Sequence, residues 1–214
     1  MNSPREYEAK FEAGDEAQRE LLALESFGEF SLVKRESKVQ DDTYYDTTEE
    51  HLREAGATLR IRRRPSGAHM TFKGEREKSE NTHLVSRLED EVDLDASAII
   101  ALGDGSPLIL QTEPGPLIRA RAASGDNELK PVARLMTNRS VLLFVDGAGN
   151  GVELSIDRCE ATRVTDGRTV SFSEVELELK QGEAVALLGA ANALQTEVGG
   201  LKPSTKTKLA RALR

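Results

Sequence analysis

The chain has 214 residues, 38% of them hydrophobic and 31% charged, with a net charge of −8 and one cysteine. That length suits one large domain, and the acidic balance argues against a general nucleic-acid surface, although a basic cavity can lie inside an acidic envelope. A lone thiol, Cys159, excludes an internal disulfide framework and reads as a small strand residue in a reducing compartment. No apolar run approaches the ~20 residues that cross a bilayer, and Met1 to Arg5 carry no apolar leader, so a soluble, cytoplasmic protein is expected.

Residues 6–11 begin Glu6-Tyr7-Glu8-Ala9-Lys10, with charges at alternate positions and Tyr7, Ala9 and Phe11 between them. As a strand of period two, this segment has one charged and one apolar face. Residues 15–27 hold Leu21, Leu22 and Leu24 among good helix formers and predict a short helix. Strands then dominate. Residues 41–46, with Thr43, Tyr44 and Tyr45, are extended, and 49–55 form a short connecting helix or turn. Residues 59–64 and 69–74 flank Pro65-Ser66-Gly67, which is hairpin chemistry, and 83–95 form another strand.

Gly103-Asp104-Gly105-Ser106-Pro107 and Glu113-Pro114-Gly115-Pro116 punctuate two short helical pieces, the second over 117–123. This reads as a connection within a single domain spanning 1–214. Three more strands, 132–145, 151–162 and 169–180, are separated by turns at 146–150 and Asp166-Gly167. Residues 182–198 are the strongest helix, with Val185, Leu188 and Leu194 on or near one face, and a basic tail follows over 202–214.

The charged faces of these strands sort by sign. Arg60 and Arg62 alternate with Leu59 and Ile61, and Lys73 lies on the next strand. Glu174, Glu176 and Glu178 oppose Val175, Leu177 and Leu179. In a sandwich such faces would be wet and the apolar rows would pack together. Three carboxylates at ~7 Å intervals on one strand repel, however, unless cations or a metal lie nearby. A closed barrel with a polar lumen and an apolar, helix-covered exterior satisfies both observations. The expected class is therefore α+β, mainly antiparallel β.

In this order, Glu6-x-Glu8-x-Lys10, Tyr44-Tyr45-Asp46-Thr47, Leu59-Arg60-Ile61-Arg62, Thr71-Phe72-Lys73, Arg87-Leu88-Glu89 and the stretch from Glu174 to Leu179 resemble CYTH domains, the triphosphate tunnel metalloenzymes, over nearly the whole chain. The resemblance implies an eight-stranded antiparallel β-barrel, or tunnel, that binds triphosphates with divalent metal. It implies that Lys10, Arg60, Arg62, Lys73, Arg87 and Arg139 clamp phosphate oxygens, the arginine fork binding two oxygens and lysine offering a compact charge. Thr207-Lys208-Leu209-Ala210-Arg211 resembles the family's closing Ser-Lys-x-x-Arg segment, which adds Lys208, with Lys206 as the other register. Glu6, Glu8, Glu176 and Glu178, with Asp157 and Glu89 as a further carboxylate, are implied to hold one or two Mg²⁺ or Mn²⁺ ions. By the same resemblance, Tyr44 and Lys73 position the attacking water or shuttle its proton.

The expected activity is metal-dependent removal of the terminal phosphate of inorganic triphosphate or an organic triphosphate. The inorganic substrate comes first because the clamp is all charge, aromatic residues total 4% and there is no Trp. Thiamine triphosphate hydrolysis, cyclisation as in class IV adenylyl cyclases, and non-catalytic binding of polyphosphate or nucleotide are the alternatives. The partner is a small-molecule triphosphate, with no nucleic acid or membrane, in a monomer or homodimer. Arg134 and Arg158 read as surface or supporting residues. His51, His69 and His83 lack metal-site spacing and are expected to be exposed.

Overall fold

The structure, a computed structural model, describes residues 5–78, 84–95, 108, 110 and 112–214. Its eight long strands are β1 (Arg5–Glu12), β3 (Phe30–Asp46), β4 (Thr58–Arg64), β5 (Gly67–Lys73), β7 (Leu84–Asp95), β8 (Lys130–Val145), β9 (Gly151–Arg163) and β10 (Thr169–Gln181). Two-residue strands β2 (Ser26–Phe27), β6 (Glu77–Lys78) and β11 (Lys202–Pro203) lie outside the main circuit. The long strands pair antiparallel in the order β1-β10-β9-β8-β3-β4-β5-β7, and β7 pairs with β1 to close the barrel. Closure removes the free edges and separates a lumen from an exterior.

Period-two alternation decides which side chains go where. Outward-facing Ala9, Phe11, Leu142, Leu154, Ile156, Val175 and Leu177 form one apolar core with helices α1 (Asp15–Ala23) and α4 (Ala184–Glu197). Leu59, Ile61, Met70 and Phe72 form a second, under α2 (His51–Glu54) and α3 (Gly115–Ser124). These four helices therefore sit outside the barrel, as the charge pattern implied. A third cluster, of Tyr44, Ala133, Leu135, Cys159 and Ala161, belongs to lumen-facing positions and is covered by Leu209 and Ala212 of α5 (Lys208–Ala212). The 202–214 segment is thus no loose tail: β11 pairs with β1, and α5 packs on β8, β9 and β10 at one end of the lumen.

Several boundaries differ from the sequence reading. The expected helix over 15–27 ends at Ala23, and Ser26–Phe27 instead forms a hairpin with β3. Gly28 makes that turn at φ +51°, where a Cβ would also lie 2.8 Å from Ala193 Cβ on α4. β3 begins at Phe30 rather than at residue 41 and pairs with β8 along almost its whole length. On α4 the buried face is Leu187, Ala190, Ala191 and Leu194, which leaves Val185 72% exposed rather than packed. The first of the two short helical pieces lies outside the described residues. Among those described, no helix is long and apolar enough to cross a membrane.

Asp46 anchors the turn after β3. Its side chain is buried; Oδ1 accepts from the amides of Thr47 and Leu52 at 2.8 Å each, and Oδ2 from that of Arg53 at 3.1 Å. Asp46→Ala leaves amide groups without partners under the barrel wall. The expected loss is about 3 kcal/mol, a melting temperature lower by roughly 6–12 °C; an unchanged melting curve would show that the turn holds without the carboxylate.

Candidate functional site

The lumen is a cavity of about 230 Å³ whose wall carries ten Lys and Arg residues and six Glu residues, with Glu8, Asp42, Asp157 and Glu174 buried just behind it, so a densely charged, cation-lined interior lies within a protein of net charge −8. Strand alternation puts them there. β4 contributes Arg60 and Arg62, β5 Lys73, β7 Arg87 and Glu89, β8 Arg139, β1 Glu6 and Lys10, and β10 Glu176 and Glu178. Tyr44 of β3 also reaches it, and α5 inserts Lys208. The register places Lys10 opposite Glu176, Glu6 opposite Arg87 and Arg139 opposite Asp157.

These charges form one network. Lys208 Nζ lies 2.8 Å from Glu174 Oε1 and 3.0 Å from both Glu176 Oε2 and Asp157 Oδ2. Arg139 grips Asp157 with Nε and Nη2, at 2.8 and 2.6 Å, and reaches Glu176 Oε2 at 2.8 Å. Lys10 donates to Glu174 at 3.0 Å and also pairs with Glu176. Glu6 accepts from Lys73 at 2.6 Å and from Arg87 Nε at 2.8 Å; Lys73 also lies 2.9 Å from Glu89. On the opposite wall, Asp42 binds Arg62 through two bonds, at 2.7 and 2.8 Å, while Arg60 donates to Thr71 at 3.1 Å.

The electrostatics follow from burial and these partners. Burial raises the Glu6 carboxyl, but Lys73 and Arg87 outweigh it and hold the group at about 2. Glu176 is likewise held well below the usual carboxylate range by Lys10, Lys208 and Arg139 against the cost of burial. Glu178 differs: burial pushes it up to about 6, only partly offset by Lys180 at 2.7 Å. Burial also raises Glu89 and the Tyr44 hydroxyl. For Arg76, whose burial Glu8 compensates only in part, the guanidinium is pushed downward.

Of the residues singled out in the sequence, Glu6, Lys10, Tyr44, Arg60, Arg62, Lys73, Arg87, Arg139, Glu176, Glu178 and Lys208 all face this cavity. Glu8 and Asp157 stand behind the lining, buried among the cations. Lys208 rather than Lys206 reaches inside; Lys206 pairs with Glu12 at 2.9 Å and is 42% exposed. Arg134 and Arg158 are exposed on the outer wall. Two histidine expectations need correction. His69 is held between Glu91 and Asp93, at 3.2 and 2.7 Å, and His51 is partly buried beside Thr47 at 2.9 Å; both bind neighbours that the turn or barrel brings to them. His83 lies outside the described residues.

The sequence reading passed over Asp42, Lys38, Gln40 and Arg76; Lys180, on the charged face of the 174–180 strand, also lines the cavity. Lys38 and Gln40 share the inward parity of Tyr44, a signal that recognising β3 at its full length would have exposed, whereas Asp42 lay within the expected strand and only its pairing with Arg62 was hidden. Arg76 lies beyond the end of β5 and carries no periodic signal.

An all-oxygen carboxylate set suits a hard cation such as Mg²⁺ or Mn²⁺. Among the described residues, however, no three His, Cys, Asp or Glu side chains converge as a ready-made metal cage. Carboxylates of the right kind are present, and the remaining oxygens would come from a ligand and water.

The CYTH domain family model matches residues 4–213. No curated protein matches the chain in sequence. Among solved structures, HpAC1 from Hippeastrum, a candidate adenylyl cyclase with a dominant triphosphatase activity, superposes with a TM-score of 0.63 at 21% identity, over 96% of this chain and 93% of that one. A candidate adenylate cyclase from Bacillus halodurans gives 0.58 at 18% identity, over 99% and 98%. The mimivirus capping-enzyme triphosphatase gives 0.54 at 13% identity, over 93% and 90%. At these identities the likeness is one of fold.

Proposed function

Because the chain belongs to the CYTH domain family, we propose that it hydrolyses the terminal phosphoanhydride of a short linear triphosphate inside its barrel. The observation that carries this reading is the lumen itself: a cavity of about 230 Å³ lined by ten cations and six carboxylates, inside an acidic protein. Inorganic triphosphate is the preferred substrate, since Tyr44 is the one aromatic side chain among the described lining residues and offers little to stack a base or a thiazolium. The triphosphatase activity named for HpAC1 and for the mimivirus enzyme supports the reaction class.

In the proposed reaction, Arg60, Arg62, Arg87, Arg139, Lys10 and Lys208 receive the phosphate oxygens. In the ligand-free network Arg62, Arg87 and Arg139 are held by Asp42, Glu6 and Asp157, and Lys10 and Lys208 by Glu176, so these cations are oriented before substrate arrives. Glu6, Glu176 and Glu178, with Glu8 and Asp157 behind them, are the proposed carboxylates for a divalent cation. When bound, Mg²⁺ or Mn²⁺ would neutralise charge on the phosphate oxygens. Lys73 and the Tyr44 hydroxyl hold the attacking water in line with the terminal phosphorus. Glu89 is the proposed proton acceptor, a role supported by its 2.9 Å distance from Lys73 and by burial, which raises its carboxyl. The new bond joins water oxygen to the terminal phosphorus and the bridging bond breaks, giving orthophosphate and diphosphate.

The test is phosphate release from inorganic triphosphate, thiamine triphosphate and ATP with Mg²⁺ or Mn²⁺. Metal-dependent release from triphosphate, abolished by chelation and weakened in Glu8→Gln, is expected. Tight binding without turnover of any of the three would reduce the tunnel to a binding module, and diphosphate plus a cyclic nucleotide from ATP would select the cyclase.

A further inference from the structure

We infer that Arg76, on the segment between β5 and β6, is a further phosphate-binding residue of the tunnel, an assignment that rests on the triphosphate reading above. Arg76 lines the cavity, and its side chain is only 14% exposed. Its Nη1 donates to the Thr205 carbonyl at 2.6 Å, which fixes the plane of the guanidinium against the segment leading into α5. The other edge is open. Among the described residues, Nε is buried with no hydrogen-bond partner, and Nη2 reaches only Glu8 Oε1, at 3.3 Å. That oxygen is already held at 3.0 Å by Arg87.

Comparison with the neighbouring arginines shows what is missing. Arg62 uses its Nε–Nη2 edge to grip Asp42, and Arg139 uses the same edge to grip Asp157. Arg87 fills its own with Glu6 and Glu8. Arg76 presents this edge, oriented by its bond to Thr205, with Glu8 touching Nη2 alone and no carboxylate among the described residues bridging Nε and Nη2. A buried guanidinium fork of that kind matches two oxygens of a phosphoryl group, which would supply the charge and the acceptors that Glu8 does not. A purely structural clasp to Thr205 would need neither the charge nor the second edge, since a neutral amide can donate to a carbonyl.

The discriminating variant is therefore Arg76→Gln, which keeps a donor for Thr205 and removes charge and fork, with Arg76→Lys restoring the charge alone. The probe is inorganic triphosphate with Mg²⁺, read by the triphosphate-induced rise in melting temperature and, in parallel, by KM and kcat. Arg76→Gln is expected to weaken apparent triphosphate affinity roughly 10- to 100-fold, with the ligand-free melting temperature unchanged or higher and Arg76→Lys in between. A lower ligand-free melting temperature with unchanged triphosphate affinity would overturn the assignment and leave Arg76 as a clasp. Arg60→Ala separates the two levels of the argument. If it weakens triphosphate binding and Arg76→Gln does not, the Arg76 assignment fails while the triphosphate site stands. If the wild type shows neither a triphosphate-dependent shift nor turnover, both fail.

Discussion

Asp157→Ala is expected to destabilise the metal-free protein by about 3–5 kcal/mol, a melting temperature lower by roughly 6–20 °C. The side chain is fully buried, and both carboxylate oxygens are committed: Oδ1 to Arg139 Nε, and Oδ2 to Arg139 Nη2 and Lys208 Nζ. Taking a carboxylate out of water is costly, but it is the removal of one partner that costs most, because the cations left behind stay buried. Glu176 and Glu174 remain as partners for Arg139 and Lys208, yet both are already shared with Lys10. Asp157→Asn keeps shape and one acceptor, so its loss should be smaller. Adding Lys208→Met to Asp157→Ala removes the surplus charge and should recover part of the stability; the double-mutant cycle measures that coupling directly. Strict additivity would mean that the network is not what holds α5 in the lumen.

Much of this arrangement was legible because a barrel strand writes its two environments into alternate residues. Glu6, Glu8 and Lys10 oppose Tyr7, Ala9 and Phe11; Glu174, Glu176 and Glu178 oppose Val175, Leu177 and Leu179. The fold sends one set into the lumen and the other, apart from the partly buried Tyr7 and Leu179, into the core under α1 and α4. The first half of β3 was not legible. Its residues 33–39 are mostly exposed, Val33 and Val39 included, so neither face is buried and no clean alternation marks the strand. Asp42 went unread for a related reason, since its partners Arg60 and Arg62 belong to the next strand and only the register brings them together. His69 fails in the same way, as Glu91 and Asp93 come from β7. Arg76 is the extreme case: no period covers its segment, and its contacts with Glu8 and Thr205 span 68 and 129 residues of chain. Pairwise chemistry across a closed sheet becomes visible only with the register, whereas the inward or outward choice of each side chain is local.

Lys73→Ala should then lower kcat for inorganic triphosphate by about 10²–10³-fold, as expected for losing one preorganised charge at the reacting phosphoryl group. Lys73 is suited to that role by its position between Glu6, at 2.6 Å, and Glu89, at 2.9 Å, with the side chain only 16% exposed. The two carboxylates aim the ammonium into the cavity without filling all three of its donors. Stability should fall much less than in Asp157→Ala. Glu6 keeps Arg87 at 2.8 Å, and Glu89, whose carboxyl is already pushed up by burial, can take a proton once its cation is gone. The measurement is kcat and KM at saturating Mg²⁺, with the melting temperature as a control for folding. A loss confined to KM would move Lys73 from the reacting phosphate to ground-state binding. Lys73→Arg keeps the charge but spreads it over a planar fork that the Glu6–Glu89 gap is not shaped to hold, so recovery should be partial at best. Full activity in Lys73→Ala, with triphosphate still turned over, would remove Lys73 from the mechanism and leave the arginines as the catalytic cations.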